Sequence, residues 1–158
     1  MSSELPEQPT KLPEALESGT PNTVGIAGLG AGIAFIEETG IEAIQTKEHA
    51  LLGQLMSGLG EIPGVTIYGP GPDTPEKRIC LVSFNLEGWD PFELAAALEE
   101  SFDVAARPGL HCAPLAHKVA GTFPEGSLRL SPGYFNTSDE IAATVEAIRA
   151  LAPGTSRN

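Results

Sequence analysis

A cysteine, a histidine and an arginine lie close together in one short stretch of this sequence, residues 106–113. Cys112 is the candidate nucleophile, because a thiol reacts as its thiolate and because helix N-termini and nearby guanidinium groups stabilise that anion. The pattern predicts a short helix over residues 112–121, which would place Cys112 in the N-cap region, and Arg107 would supply the guanidinium. The chemistry predicted for this stretch is that of an activated thiol.

Other interpretations of these residue types stay open. Free cysteine is among the most buried residue types, so Cys112 could be a buried, unreactive residue, and the same argument favours a packing role for Cys80. His111 is a candidate acid or base, although being adjacent in sequence does not establish contact with the thiol. A zinc site of His111, Cys112 and His117 is conceivable, but it lacks a fourth ligand and a recognised spacing.

Two arginines are candidates for binding a carboxylate. Arg129 falls within a predicted strand over residues 127–131, and Arg107 precedes the cysteine by five positions. A guanidinium held on a strand is suited to paired hydrogen bonds with a carboxylate. The alternative for either arginine is a solvated surface salt bridge.

Composition limits the class of protein. A chain of 158 residues can bury a core as a single domain. Its 21 acidic and 9 basic residues give a net charge of −12, which argues against nucleic acid as a partner. Two cysteines without a short spacing favour a reducing compartment, so a cytoplasmic location is expected. No signal peptide is visible, and the longest apolar run, residues 24–36, is shorter than the roughly 20 residues that span a membrane.

The N-terminal third is predicted to be an arm followed by two helices. Residues 1–18 contain three prolines and no apolar period, so they are predicted as an extended arm. Residues 24–36 are predicted as a buried helix, in which Gly28 and Gly32 form a flat face that allows close backbone approach. A dinucleotide-binding loop is disfavoured there, because the spacing is not G-x-G-x-x-G and no strand precedes it. Apolar residues at helical spacing predict the second helix over residues 41–60.

The remaining elements alternate between strands and helices. Strands are predicted over residues 65–68, 78–86, 102–106 and 127–131. Helix starts are indicated by Asp90 with a following proline and by a capping box over residues 137–140. The order α, α, β, β, α, β, α, β, α predicts an α+β fold, in which a small, largely antiparallel sheet of about four strands is packed with helices.

Three motifs in combination resemble the C-terminal small domain of the cysteine desulfurases, pyridoxal-phosphate enzymes of the class V aminotransferase family. They are RPGLHCA at 107–113, GSLRLS at 126–131 and YFNT at 134–137. The resemblance covers about residues 15–152. It implies that the small domain of a fold-type I pyridoxal-phosphate enzyme occupies residues 19–152. Residues 1–18 would then be a remnant of the end of the cofactor domain, and residues 153–158 a tail.

The resemblance also implies roles for the candidate residues. Cys112 would attack the sulfur of L-cysteine held on pyridoxal phosphate, which gives alanine and a persulfide for a sulfur-acceptor protein, as in iron–sulfur cluster assembly. Arg129 would bind the substrate carboxylate, and Arg107 would help to position the substrate and the cysteine loop. His111 matches a position beside the nucleophile, whereas Leu110 replaces a second histidine found in some versions of the motif.

The N-terminal part of the resemblance concerns the cofactor. Gly19 and Thr20 match a turn that reaches the cofactor phosphate of the other subunit in a homodimer. The Schiff-base lysine has no counterpart, since all four lysines lie in other contexts, at Lys11, Lys47, Lys77 and Lys118. We therefore expect a domain that needs a separate pyridoxal-phosphate-binding domain and is inactive alone. Residues 24–36 are also expected to leave apolar surface that this missing domain would cover. The alternative hypothesis is a non-catalytic sulfur-carrier or assembly module with a persulfide-accepting cysteine.

Overall fold

The structure of the chain is a computed structural model that describes residues 10–154 apart from 14, 18 and 72–77. The predicted cofactor-domain remnant lies largely outside the described residues, as does most of the predicted tail. Two compact units make up the chain, Met1–Ile41 and Glu42–Asn158.

Helix α1, over Thr23–Thr39, makes up most of the described part of the N-terminal unit. The side chain of Asn22 caps its start by accepting a hydrogen bond from the amide of Gly25. The predicted helix is confirmed, but its predicted burial is wrong: none of its residues is buried, and Leu29 is 65% exposed. The described residues ahead of α1 do not cover it, and Leu12 and Leu16 among them are exposed as well.

Within the described residues, four helices lie C-terminal to α1, and their bounds follow the sequence signals. They are α2 Ile41–Gly60, α3 Pro91–Phe102, α4 Pro114–Ala120 and α5 Ser138–Leu151. Asp90 Oδ1 accepts from the amides of Phe92 and Glu93 at the start of α3, and Thr137 with Glu140 forms the capping box of α5. No single helix in the described ranges is long and apolar enough to cross a membrane; α1 and α2, a bent pair, pass that test only together, by length and composition.

An antiparallel sheet of three strands forms the centre of the larger unit. The strands are β1 Val65–Tyr68, β2 Val82–Leu86 and β3 Leu128–Leu130, in the order β1-β2-β3. Phe84 and Leu128 are opposite each other and fully buried, whereas Ser83 lies opposite Arg129 on the other face. One face of the sheet therefore packs on the apolar core with α2, α3 and α5, and the other face is polar. The α+β prediction is confirmed.

The predicted strand over residues 102–106 is wrong. Helix α3 continues through Phe102 and ends at Asp103, whose φ of 56° turns the chain in the left-handed region. The fourth strand is reduced to an isolated bridge between Arg107 and Arg129. The strand predicted from residue 78 begins only at Val82.

Candidate functional site

Arg107 and Arg129 are held directly opposite each other by the backbone. The amide of Arg107 donates to the carbonyl of Arg129 at 3.0 Å, and the amide of Arg129 donates back at 2.9 Å. Residues opposite each other in such a pair project to the same side of the sheet, where like charges repel. Arg129 Nε is also buried without a hydrogen-bond partner among the described residues. Two adjacent guanidinium groups, one with an unused donor, suit an anionic ligand.

A close contact between two glycines joins this pair to the loop that carries the cysteine. Gly109 and Ser127 exchange backbone hydrogen bonds of 3.0 and 3.2 Å. A Cβ on Gly126 would lie 2.3 Å from the carbonyl carbon and oxygen of Gly109, so only glycine permits this approach. Asn85 Nδ2 on β2 donates to the carbonyl of Gly126 at 3.2 Å. The base of the loop is therefore fixed to the sheet.

Cys112 lies in a tight turn at the surface. His111 and Cys112 both adopt left-handed backbone conformations, with φ of 52° and 59°. Cys112 is exposed, and Arg107 Nη2 donates to its Sγ at 3.6 Å. The N-cap of the seven-residue helix α4 is Ala113, so the helix begins two residues later than predicted. The guanidinium, rather than the helix terminus, is the group in contact with the sulfur.

The side chain of His111 turns back towards the start of the same loop. Its Nε2 is 2.9 Å from the carbonyl oxygen of Arg107. Burial is the main cause that lowers the pKa of His111; the hydrogen bond to Arg107 raises it, and the charges of Arg129, His117 and Arg107 lower it. The imidazole is consequently favoured in its neutral form, which makes it a hydrogen-bonding group of the loop rather than a third cation.

A cavity of about 390 Å³ lies between the polar face of the sheet and α4. Its lining includes His111, His117, Ser127 and Arg129. Ser127 is 1% exposed, and its Oγ has no hydrogen-bond partner within the described part of the chain. Two residues in the wall of the cavity, Ser127 and Arg129, therefore each have a buried polar atom without a hydrogen-bond partner among the described residues. A second cavity of about 420 Å³ beside α5 contains none of the predicted site residues.

Sequence reasoning missed three residues of this site. Ser127 could have been found, because it precedes Arg129 by two positions and side chains two apart in a strand share a face. His117 was considered only as a zinc ligand, and Thr122 carried no signal, since their 2.7 Å contact depends on how the loop folds back. No group of three or more metal-ligating side chains occurs among the described residues.

The predicted site residues divide between the two units. Cys112, His111, Arg107 and Arg129 come together in the larger unit, as described above. Gly19 and Thr20 lie exposed in the N-terminal unit, ahead of α1. Their predicted contact with a cofactor phosphate stays a prediction.

Cys80 differs from Cys112 in both burial and partner. Its thiol is half-buried and donates to the carbonyl of Glu48 at 3.2 Å. Burial, followed by the charge of Glu48, raises the pKa of Cys80 to about 11. These contacts support the packing role expected for it.

We expect iodoacetamide to modify Cys112 much faster than Cys80 at mildly alkaline pH. The raised pKa keeps Cys80 as the unreactive thiol below about pH 11, whereas Cys112 is exposed beside a guanidinium. Peptide mapping by mass spectrometry at successive times measures both rates. Cys112→Ser should remove the fast reaction and Cys80→Ser should leave it unchanged; equal rates at the two cysteines would contradict the prediction.

Comparisons with known proteins identify relatives of this chain. A family model described as Aminotransferase class-V matches residues 4–144. A probable cysteine desulfurase of Halalkalibacterium halodurans is 37% identical over 139 residues, which are 87% of this chain and 32% of the relative. A probable cysteine desulfurase of Methanothermobacter thermautotrophicus is 33% identical over 89% of the chain and 34% of its own length. The chain thus spans about a third of the length of these curated relatives.

Solved structures give the same result. The apo structure of a cysteine desulfurase from Thermococcus onnurineus superposes with a TM-score of 0.80 at 36% identity, over 90% of this chain and 34% of that one. A cysteine desulfurase of Escherichia coli gives a TM-score of 0.75 at 28% identity, over 88% and 33% of the two chains. Fold and sequence therefore agree along most of the chain, which belongs to the class V aminotransferase family.

Proposed function

We propose that this chain is the sulfur-accepting part of a cysteine desulfurase, with Cys112 as the nucleophile. The observation that carries the proposal is the placement of the exposed Cys112 Sγ 3.6 Å from Arg107 Nη2, in a loop whose base is bonded to the strand of Arg129. The guanidinium is a charged hydrogen-bond donor in direct contact with the sulfur that would act as the nucleophile. The names of the relatives support the choice of reaction.

The proposed reaction transfers one sulfur atom. The Cys112 thiolate attacks the sulfur of L-cysteine, so that an S–S bond forms and the substrate C–S bond breaks. The electron pair of that bond stays on the substrate carbon, which takes up a proton to give alanine, and Cys112 becomes a persulfide. Sulfur is oxidised and carbon is reduced, so no other oxidant is needed. A sulfur-acceptor protein would then remove the terminal sulfur.

Arg129 and Arg107 are proposed to bind the substrate carboxylate. They are opposite each other in the backbone pairing, and Arg129 Nε has no partner among the described residues. A carboxylate between them would use that donor and offset the repulsion of two like charges. Binding the substrate through its carboxylate also fixes the distance from its sulfur to Cys112.

Pyridoxal phosphate does not fit the described residues of this chain as a covalently held group. Lys47 Nζ lies 4.7 Å from the centre of the Tyr134 ring, and Lys118 Nζ lies 5.0 Å from that of Phe123. None of the lysines in the described part of the chain, Lys11 included, lines the cavity beside Arg129. The Schiff-base lysine is therefore proposed to come from a separate cofactor-binding domain, and Gly19 and Thr20 to complete a phosphate site in a homodimer of the whole enzyme.

Reconstitution tests this proposal. We expect the chain mixed with L-cysteine and pyridoxal phosphate to release no alanine. Adding the cofactor-binding part of a related desulfurase should restore alanine release and add one sulfur atom to Cys112 by intact mass. Cys112→Ser should abolish both, and Cys80→Ser should preserve both. Alanine release by the chain alone would contradict the prediction that the chain alone is inactive. If Cys112 gained sulfur only when an intact desulfurase was supplied, the carrier hypothesis would be favoured instead.

A further inference from the structure

The turn that carries Cys112 is held in an unfavourable backbone conformation. Two consecutive residues other than glycine, His111 and Cys112, have positive φ values, which residues with a Cβ rarely adopt. Such conformations persist only when surrounding contacts impose them. One local hydrogen bond, from the amide of Ala113 to the carbonyl of Leu110 at 2.8 Å, closes the turn. Further contacts are needed to hold it.

The ring of His111 supplies one of these contacts. A carbonyl oxygen only accepts hydrogen bonds, so the 2.9 Å contact with Arg107 requires the proton on Nε2 of His111. The ring also packs against the ring of His117, with centroids 5.4 Å apart and planes tilted by 50°. His111 is therefore held between a backbone carbonyl and a second imidazole.

His117 is itself fixed by the end of α4. It is 8% exposed, and its carbonyl accepts from the amides of Gly121 and Thr122. Its Nδ1 is 2.7 Å from Thr122 Oγ1, and that hydroxyl is also 3.4 Å from the carbonyl of His117. When the Thr122 hydroxyl donates its proton to the carbonyl of His117, its oxygen accepts from Nδ1–H of the His117 ring. The free lone pair of that ring is then on Nε2.

We propose that His117 is a positioning residue for Cys112, and that Thr122 fixes the orientation and the tautomer of its ring. The contacts run from Thr122 through the rings of His117 and His111 to the carbonyl of Arg107, the residue whose guanidinium contacts the Cys112 sulfur. The two imidazoles hold the left-handed turn against the strand pair. The importance of this positioning for sulfur transfer rests on the function proposed above. The contacts themselves do not depend on that function.

Thr122→Val tests the proposal, because valine keeps the shape of the side chain and removes the hydroxyl. We expect nitrogen NMR to show a single Nδ1–H tautomer for His117 in the natural chain and a mixture in Thr122→Val. Iodoacetamide should modify Cys112 about tenfold more slowly in the variant, as the turn relaxes away from Arg107 and the charge-assisted contact with the sulfur is lost. Thr122→Ser should restore both measurements.

Two further variants separate positioning from general stability. Thr144→Val removes the hydroxyl that donates to the carbonyl of Glu140 on α5, and it should leave the reactivity of Cys112 unchanged. His117→Asn keeps a polar group near Thr122 but removes the ring, so it should slow the reaction even if Thr122→Val does not fold. Unchanged reactivity in a folded His117→Asn or Thr122→Val chain would overturn the proposal. Alkylation needs no sulfur transfer, so this result is independent of the reaction assigned to Cys112.

Discussion

Arg129→Gln is expected to remove a preference of Cys112 for anionic reagents. Iodoacetate carries a carboxylate and iodoacetamide does not, so the ratio of their rates at Cys112 reports whether the site binds a carboxylate. In the natural chain the guanidinium groups of Arg107 and Arg129 should favour iodoacetate relative to a free thiol. A charge-assisted hydrogen bond contributes about 1.5–3 kcal/mol, so the ratio should fall about tenfold or more in Arg129→Gln.

The matched control is Arg149→Gln, which removes the same charge from α5. Arg149 lies 3.7 Å from Glu61 and 3.3 Å from Glu146, and it is not part of the cysteine loop. Its loss should leave the iodoacetate-to-iodoacetamide ratio within a factor of about two, because exposed charges are screened by salt. An equal fall in both variants would show that net charge, and not a carboxylate site, sets the ratio.

The helices and their caps could be predicted because their causes are local. The spacing of leucines in α2, the cap at Asp90 and the capping box at Thr137 each depend on residues within a few positions of each other. The burial of α1 could not be predicted in the same way. The family resemblance predicts that a separate cofactor-binding domain would cover its apolar residues, whereas their spacing alone does not say whether a covering surface belongs to this chain.

The sequence predictions that were wrong or missing near the site also have physical causes. Phe102–Ala106 is apolar enough for a strand, but Phe102 is the last residue of α3 and the left-handed Asp103 redirects the chain. Pro114 at the first position of α4 was the signal for the true helix start. The left-handed conformations of His111 and Cys112 had no sequence signal, because such conformations are usually found at glycine. Tertiary contacts impose them here.

The arginine pair shows what the motif resemblance could and could not provide. It suggested roles for Arg107 and Arg129, but not that their backbones exchange hydrogen bonds. That pairing depends on the approach of two glycines far apart in sequence, Gly109 and Gly126. The geometry of the proposed carboxylate site is therefore controlled by two residues that carry no functional group.

Gly126→Ala is expected to separate the cysteine loop from β3. The new Cβ would lie 2.3 Å from backbone atoms of Gly109, which cannot move without breaking the two hydrogen bonds between Gly109 and Ser127. Gly126 also has a φ of 87°. Together these costs should lower the free energy of unfolding by about 2–5 kcal/mol, measured by denaturant titration. Arg107 would move away from Arg129, so the preference of Cys112 for iodoacetate should be lost as well.

Gly88→Ala separates the effect of backbone conformation from that of the close approach. Gly88 has a similar φ of 82°, but a Cβ there would meet open space. Replacing Gly88 should lower the free energy of unfolding by only about 1–2 kcal/mol and leave the reactivity of Cys112 unchanged. If Gly126→Ala behaved like Gly88→Ala in both measurements, the contact with Gly109 would not control the loop. A larger loss of stability together with a lost iodoacetate preference would mean that this contact holds the cysteine and the two arginines in one site.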